Sequence, residues 1–175
     1  MIYSFLQNGD SAVTVQFKNE ISEEVNRRVT GLCNRIEAKH INGIIELVPT
    51  FASLTVFYDC TIISSKKLKK KIKSLINGGE CDVKSTAKVW NIPVCYDDEF
   101  ALDMKNVCSH TALEREEVIK LHTSKPYLIY MLGFLPGFAY LGGMDERLFT
   151  PRLKTPRLEI FEGAVRIGGE QTGIY

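Results

Sequence analysis

The sequence has no Cys-x-x-Cys pair, and its five cysteines, at positions 33, 60, 81, 95 and 108, are odd in number and irregularly spaced. That pattern argues against a disulfide framework and a structural zinc site, and leaves reduced thiols as the reading. No apolar run approaches the roughly 18 residues of a membrane span, and no basic segment leading into a long apolar stretch opens the chain. A cytoplasmic protein without a membrane partner is the expectation. Net charge is equally scant: 22 Lys+Arg face 21 Asp+Glu, a formal balance of +1, so the overall field nominates no nucleic acid. There is also no Gly-x-x-x-x-Gly-Lys-Ser/Thr loop to cradle phosphates, and no cluster that predicts a metal.

What is present is enough apolar material for a real core: 45% hydrophobic residues in a chain of 175, one ordinary domain or two small ones. Residues 2–6 and 12–17 read as strands joined by Asn8-Gly9-Asp10-Ser11. From Ser22, Val25, Val29, Leu32, Cys33 and Ile36 recur at helical steps behind the acidic first turn of Glu23 and Glu24, and Asn42-Gly43 stops the helix. Cys33 lies on the apolar stripe and reads as core. Ile44–Val48 and Leu54–Tyr58 form a second hairpin pattern. Leu68, Ile72, Leu75 and Ile76 mark a second helix, whose other face carries Lys66, Lys67, Lys69, Lys70, Lys71 and Lys73. Without arginine or interleaved aromatics, that run reads as a solvated face. Asn77-Gly78-Gly79 ends the helix and a polar linker follows over 80–86. The order predicts an α+β first domain over 1–82, two helices on an antiparallel sheet, and a second domain over 83–175.

In the second half, Val89–Val94 reads as a strand anchored by Trp90. Helices follow over Phe100–Val107 and from the capping-box pattern at Thr111 to Leu121. The second helix sets Arg115 and Lys120 against Glu114, Glu116 and Glu117, a poor match for DNA phosphates. Cys108 and His110 fall in the expected turn between the helices, and His110 and His122 read as capping or packing residues. Pro126–Leu132 is a nearly continuous apolar run that reads as a strand buried on both faces.

That run leads into Gly133-Phe134-Leu135-Pro136-Gly137-Phe138-Ala139-Tyr140-Leu141-Gly142-Gly143. Four glycines and a proline would be costly inside a regular element, yet three aromatics sit among them. Two readings stand side by side: a turn-rich wall where a ligand or another chain comes close, and a tight strand crossing where only glycine fits. Thr150-Pro151-Arg152 then repeats as Thr155-Pro156-Arg157. Proline fixes the backbone ahead of each arginine, as in a pair of guanidinium groups held ready for carboxylate or phosphate, or in two solvated surface turns. The last stretch, Ala164 to Tyr175, reads as strand, glycine turn and strand. Its Glu170, Gln171 and Thr172, beside Gly169, are placed to hydrogen-bond a substrate or a partner loop.

Gly9-Asp10-Ser11-Ala12, Ile92-Pro93-Val94-Cys95-Tyr96, His122-Thr123, the run from Tyr130 to Gly143, both Thr-Pro-Arg units and Gly169-Glu170-Gln171-Thr172-Gly173-Ile174-Tyr175 together resemble the B subunit of bacterial 5-oxoprolinase. That family includes the sporulation kinase inhibitor KipI and long carried the label allophanate hydrolase subunit 1. The resemblance implies an N-terminal α+β domain and a C-terminal cyclophilin-like β-barrel, incomplete here because members continue past Tyr175. It also implies partners: a KipA-like C subunit and a LamB/YcsF-type A subunit, which with the B subunit open 5-oxoproline to glutamate using ATP. Homologous regions are fused in urea carboxylase as its carboxyltransferase part.

Three roles follow as expectations. In an enzyme subunit, Glu170 and Gln171 take the catalytic positions, while Phe134, Pro136, Gly137, Phe138, Tyr140, Gly142, Gly143, Arg152, Arg157, Gly169 and Thr172 bind substrate or partner. ATP is then held here or on a partner subunit. In a KipI-like inhibitor, Phe134, Phe138 and Tyr140 anchor a contact with a histidine kinase. In a scaffold, the chain carries no chemistry of its own.

Overall fold

A computed structural model describes residues 3–78 and 88–175. The polypeptide divides into two compact units, Met1–Thr86 and Ala87–Tyr175. Residue 2 of the expected first strand, Gly79, the linker at 80–86 and the expected boundary at 82/83 lie outside the described residues.

The first unit runs β1 (Ser4–Asn8), β2 (Ala12–Gln16), α1 (Glu23–Ala38), β3 (Ile44–Pro49), β4 (Ser53–Tyr58) and α2 (Ser65–Asn77). The strands form one antiparallel sheet in the order β1-β2-β4-β3. Alternation along the two central strands turns Val13, Val15, Leu54 and Val56 onto one face, all at 0% exposure. Against them pack Val29, Leu32 and Ile36 of α1 and Leu68, Ile72 and Ile76 of α2. Each such side chain, fully buried, contributes about 1.5–3 kcal/mol relative to exposure. Across the opposite face, Thr14 and Thr55 stand opposite each other and their hydroxyls share a hydrogen bond of 2.8 Å. Gln7 ties the layers together, donating to the Tyr58 hydroxyl at 3.2 Å and accepting from Ser65 at the start of α2 at 2.6 Å. Ser64 caps that helix, accepting from the Lys67 amide.

The second unit contains α3 (Met104–Thr111), α4 (Arg115–His122), β5 (Leu128–Leu132), β6 (Ala139–Gly142), a short 3-10 turn at Glu146–Leu148, β7 (Val165–Gly168) and β8 (Gln171–Ile174). Its antiparallel sheet has the order β5-β6-β8-β7, and no closed barrel forms among the described residues. The fold is therefore α+β with two open four-stranded sheets. Val118 and Leu121 of α4, Met144 and Leu148 make the buried core under this sheet, joined by Ile167 from β7.

Several expectations need correction. Residues 88–96 carry no strand, and Trp90 is 67% exposed beneath the Lys88 ammonium rather than anchoring a core. Pro93 removes a ladder donor there, and no described strand pairs with the segment. The first short helix begins at Met104, not Phe100, and extends through Cys108 and His110, which are helical rather than in a turn and, two apart, face different directions. Thr111 ends α3 and opens no capping box: Ala112 turns left-handed at φ 56, and Glu114 precedes α4 without a side-chain cap. In β5 only Tyr130 is buried, while Ile129 and Leu132 are 48% and 62% exposed. The strand lies at a sheet edge with a register shift between Ile129 and Met131, so it is not enclosed on both faces.

Gly43 closes the turn from α1 into β3 at φ +94, where an added Cβ would stand 2.8 Å from Ile63 Cγ2. Gly43→Ala should lower stability by about 1–3 kcal/mol, because both backbone strain and overpacking act at one point. Urea unfolding should show an earlier midpoint with an unchanged slope.

Candidate functional site

The register of the second sheet decides which residues meet. Tyr140 stands opposite Gly173, and Gly173 opposite Arg166; Gly168 stands opposite Gln171. Because side chains alternate, Phe138, Tyr140 and Gly142 of the β6 line share a face with Gln171, Gly173 and Tyr175 of the β8 line and with Arg166 and Gly168 of β7. The other face belongs to the core, where Ile167 packs on α4 and Thr172 meets His122.

On the first of these faces the rings form a continuous cluster. Phe138 lies 5.0 Å from Tyr140, 5.3 Å from Tyr175 and 5.8 Å from Phe134, between ring centroids. The Arg166 guanidinium carbon sits 4.9 Å from the Phe138 ring and 5.2 Å from the Tyr175 ring, a cation held between two π faces. Glycine makes this possible: a Cβ on Gly173 would stand 2.9 Å from the edge of Phe138. At Gly142 a Cβ would fall inside the Tyr130 ring, 1.5 Å from one ring carbon. At Gly168 it would meet the Arg152 side chain at 3.4 Å. The close approach of a ring at Gly142 is the tight fit that only glycine allows, while the Phe134 ring stands accessible on the loop.

Phe134 opens the loop between β5 and β6 in the left-handed region, φ 64, and is 69% exposed. A bulky residue there is strained, and the loop is held by the Gly133 amide donating to the Phe138 carbonyl and the Phe138 amide to that of Leu135. Pro136 and Gly137, the latter at φ 81, complete this turn, and Gly143 leaves β6 at φ 86.

Glu170 and Gln171 sit at the other end of β8, at the Gly169 turn, about 13 Å along the strand from Tyr175 by strand rise. Glu170 is exposed. Gln171 lies on the ring-bearing face with its Nε2 buried and without a hydrogen-bond partner. Arg152 stays near this end, along Gly168, whereas Arg157 is committed elsewhere: its guanidinium donates to both Asp103 oxygens, at 2.5 and 3.3 Å, at the start of α3. The two Thr-Pro-Arg units therefore do not act as a matched pair, because a carboxylate already satisfies one of them.

Thr172 is reached from behind. Its hydroxyl donates to the Arg166 carbonyl at 2.8 Å, so toward His122 Nε2, 3.1 Å away, its oxygen accepts. His122 then carries its proton on Nε2 and accepts at Nδ1 from the Tyr96 hydroxyl, 2.6 Å away. Arg115 secures Tyr96 by donating to its carbonyl and to Asp98. Tyr127 donates to the His122 carbonyl, and burial, with Tyr96 and Asp145 nearby, pushes its phenol up to about 12. Burial holds the His122 imidazole below its ordinary value. Sequence reasoning assigned no site role to His122, Arg166, Tyr130, Gly173 or Tyr175. The signal for Arg166, Gly173 and Tyr175 was the alternation of the last two strands, which pairs them across the ladder.

Residues 3–175 match the family described as carboxyltransferase domain, subdomain C and D. The sequence is 41% identical to the 5-oxoprolinase B subunit of Bacillus subtilis, over 99% of this chain and 76% of that one. It is 34% identical to the 5-oxoprolinase B subunit of Haemophilus influenzae, over 95% of this chain and 76% of that one. The chain belongs to the family of 5-oxoprolinase B subunits, within the carboxyltransferase-domain class. The fold also matches urea carboxylase of Kluyveromyces lactis, with a TM-score of 0.78 at 20% identity, over 99% of this chain and 18% of that longer one.

The folded chain binds fewer protons than the unfolded chain between the lowered His122 value and the ordinary value of about 6.5. Its stabilising contribution is fully present above about 6.5 and is lost as pH falls through the lowered value. Thermal melts of the wild type should fall more steeply between about pH 7.5 and 5.5 than those of His122→Gln, which keeps polar atoms but cannot titrate there. Parallel curves would remove His122 as the group responsible.

Proposed function

We propose that this chain is the B subunit of an ATP-dependent 5-oxoprolinase that hydrolyses 5-oxo-L-proline to L-glutamate. The observation that carries the reading is the 41% identity, over nearly the whole chain, to a protein of that name. Subunit naming among relatives supports a multi-subunit assembly, and we assign the remaining parts to a KipA-like C subunit and a LamB/YcsF-type A subunit.

The ring-bearing face is the substrate side of this subunit. A lactam is a resonance-stabilised amide, so its opening demands an oriented carbonyl and exclusion of bulk water. Tyr140 and Tyr175, half-buried over the buried Phe138 ring, offer flat apolar area for a five-membered ring, and Gln171 Nε2 donates to a substrate oxygen. Glu170, at the exposed turn, reaches toward the neighbouring subunit as acid or base, and strained Phe134 is the docking anchor beside Pro136 and Gly137. Arg152 flanks the site along Gly168, and Arg157 fixes its loop to Asp103.

The donor set fits ATP poorly. Two guanidinium groups on an open face oppose little of a triphosphate's charge, and no three His, Cys, Asp or Glu side chains converge as a metal set among the described residues. We therefore assign nucleotide binding to a partner subunit and route no step of this chain through it.

Glutamate release from 5-oxo-L-proline with ATP should appear when the whole protein is mixed with both partner subunits. No release from the complete mixture would overturn the assignment. In that assay Gln171→Leu should lower kcat/KM by about tenfold to a hundredfold, the cost of one buried hydrogen bond to substrate.

A further inference from the structure

We infer that Arg166, together with the Gln171 side-chain amide, forms a receptor for a small planar carboxylate on the ring-bearing face of the second sheet. Four other arginines, Arg28, Arg115, Arg147 and Arg157, pair with an acidic side chain. Arg166 has no such partner among the described residues; its guanidinium lies over the Phe138 and Tyr175 rings, 4.9 and 5.2 Å from their centroids. Its N–H donors are thus oriented but unspent.

Gln171 supplies the second half. Its Nε2 is buried with no acceptor, an unfavourable state that a ligand oxygen would relieve. The register sets Gly173 opposite Arg166 and Gly168 opposite Gln171, making the two side chains diagonal neighbours on one face, about 7–8 Å apart at the backbone. Glycine at the other two corners admits the edge of Phe138 beside Gly173 and the Arg152 side chain beside Gly168, so the diagonal is bounded by a ring and a second guanidinium. The two unpartnered groups a ligand spanning it would meet, the Arg166 guanidinium and Gln171 Nε2, are both donors, which favours a ligand rich in acceptors. A guanidinium walled by apolar rings, with the Arg152 side chain alongside Gly168, matches a small planar anion, and the guanidinium fork matches a carboxylate in shape.

The proposal rests on the substrate reading above only for the choice of 5-oxo-L-proline as first probe; the receptor itself follows from the donors. The test is a titration of the whole protein, followed by side-chain N–H resonances, with 5-oxo-L-proline, with 2-pyrrolidinone, which is the same ring without the carboxylate, with L-proline and with inorganic phosphate. The expected result is a saturable shift of the Arg166 and Gln171 side-chain signals with 5-oxo-L-proline and a response to 2-pyrrolidinone about tenfold weaker or more. Arg166→Gln should weaken carboxylate binding by about tenfold to a hundredfold, Arg166→Lys should be intermediate because it keeps charge without the fork, and Arg147→Gln should bind as wild type.

An equal response to 2-pyrrolidinone, a stronger response to phosphate, or no saturable shift with any carboxylate overturns the receptor. Should Arg166→Gln not fold, the ligand series and Arg166→Lys still decide. Arg166-dependent binding of L-proline without binding of 5-oxo-L-proline would keep the receptor and sink the substrate assignment. Unchanged KM for 5-oxo-L-proline in an assembled, active Arg166→Gln enzyme would do the reverse.

Discussion

Bare backbone in the middle of the second sheet is the constraint from which its exposed chemistry follows. Gly142, Gly168 and Gly173 present no side chain on one face, and each vacancy is taken by something larger: the Tyr130 ring, the Arg152 stem, the edge of Phe138. A side chain at any of the three would compete for that space, most severely at Gly142. The rings then lie close to the strands instead of standing off them, and Arg166 is held against two of them. Free glycine is entropically costly in a strand, so the sheet trades local stability for a shaped surface.

The first unit was legible almost throughout because its signals were periodic. Val25, Val29, Leu32 and Ile36 spelled a helix, and Leu54, Val56 and Tyr58 a half-buried strand, and both exist as read. The second unit was legible in its last two strands, but not in strand β6, which lay unread within the glycine-aromatic segment, nor where context outweighs composition. Val89–Val94 has strand-like residues yet pairs with no described strand, and the apolar run into Leu132 is an edge strand. Edge position is a property of the sheet, invisible in a run of side chains. The same limit explains the arginines: nothing local distinguishes Arg157, taken by Asp103 over fifty residues upstream, from Arg166, which lies over two rings and has no acidic partner among the described residues.

The two faces of this sheet are not independent. Thr172, on the core side, sits between Gln171 and Gly173 on the ring-bearing side, and its hydroxyl is the meeting point of His122 and the Arg166 carbonyl. From Tyr96 through His122 and Thr172 to that carbonyl, every donor has one acceptor and the direction of each bond fixes the next. Such a chain pins the backbone under Arg166 while its side chain faces outward. A buried neutral imidazole thereby serves as a strut for a surface that it does not touch.

Tyr130 and Gly142 occupy one shared volume, since no side chain of any size at 142 is compatible with the ring where it lies. In lineages that diverge from this sequence the two positions are therefore expected to drift as a pair. Bulk can appear at 142 only where the aromatic at 130 has already shrunk, a route that passes through a protein with a hole beneath its edge strand, whereas the reverse order meets a clash.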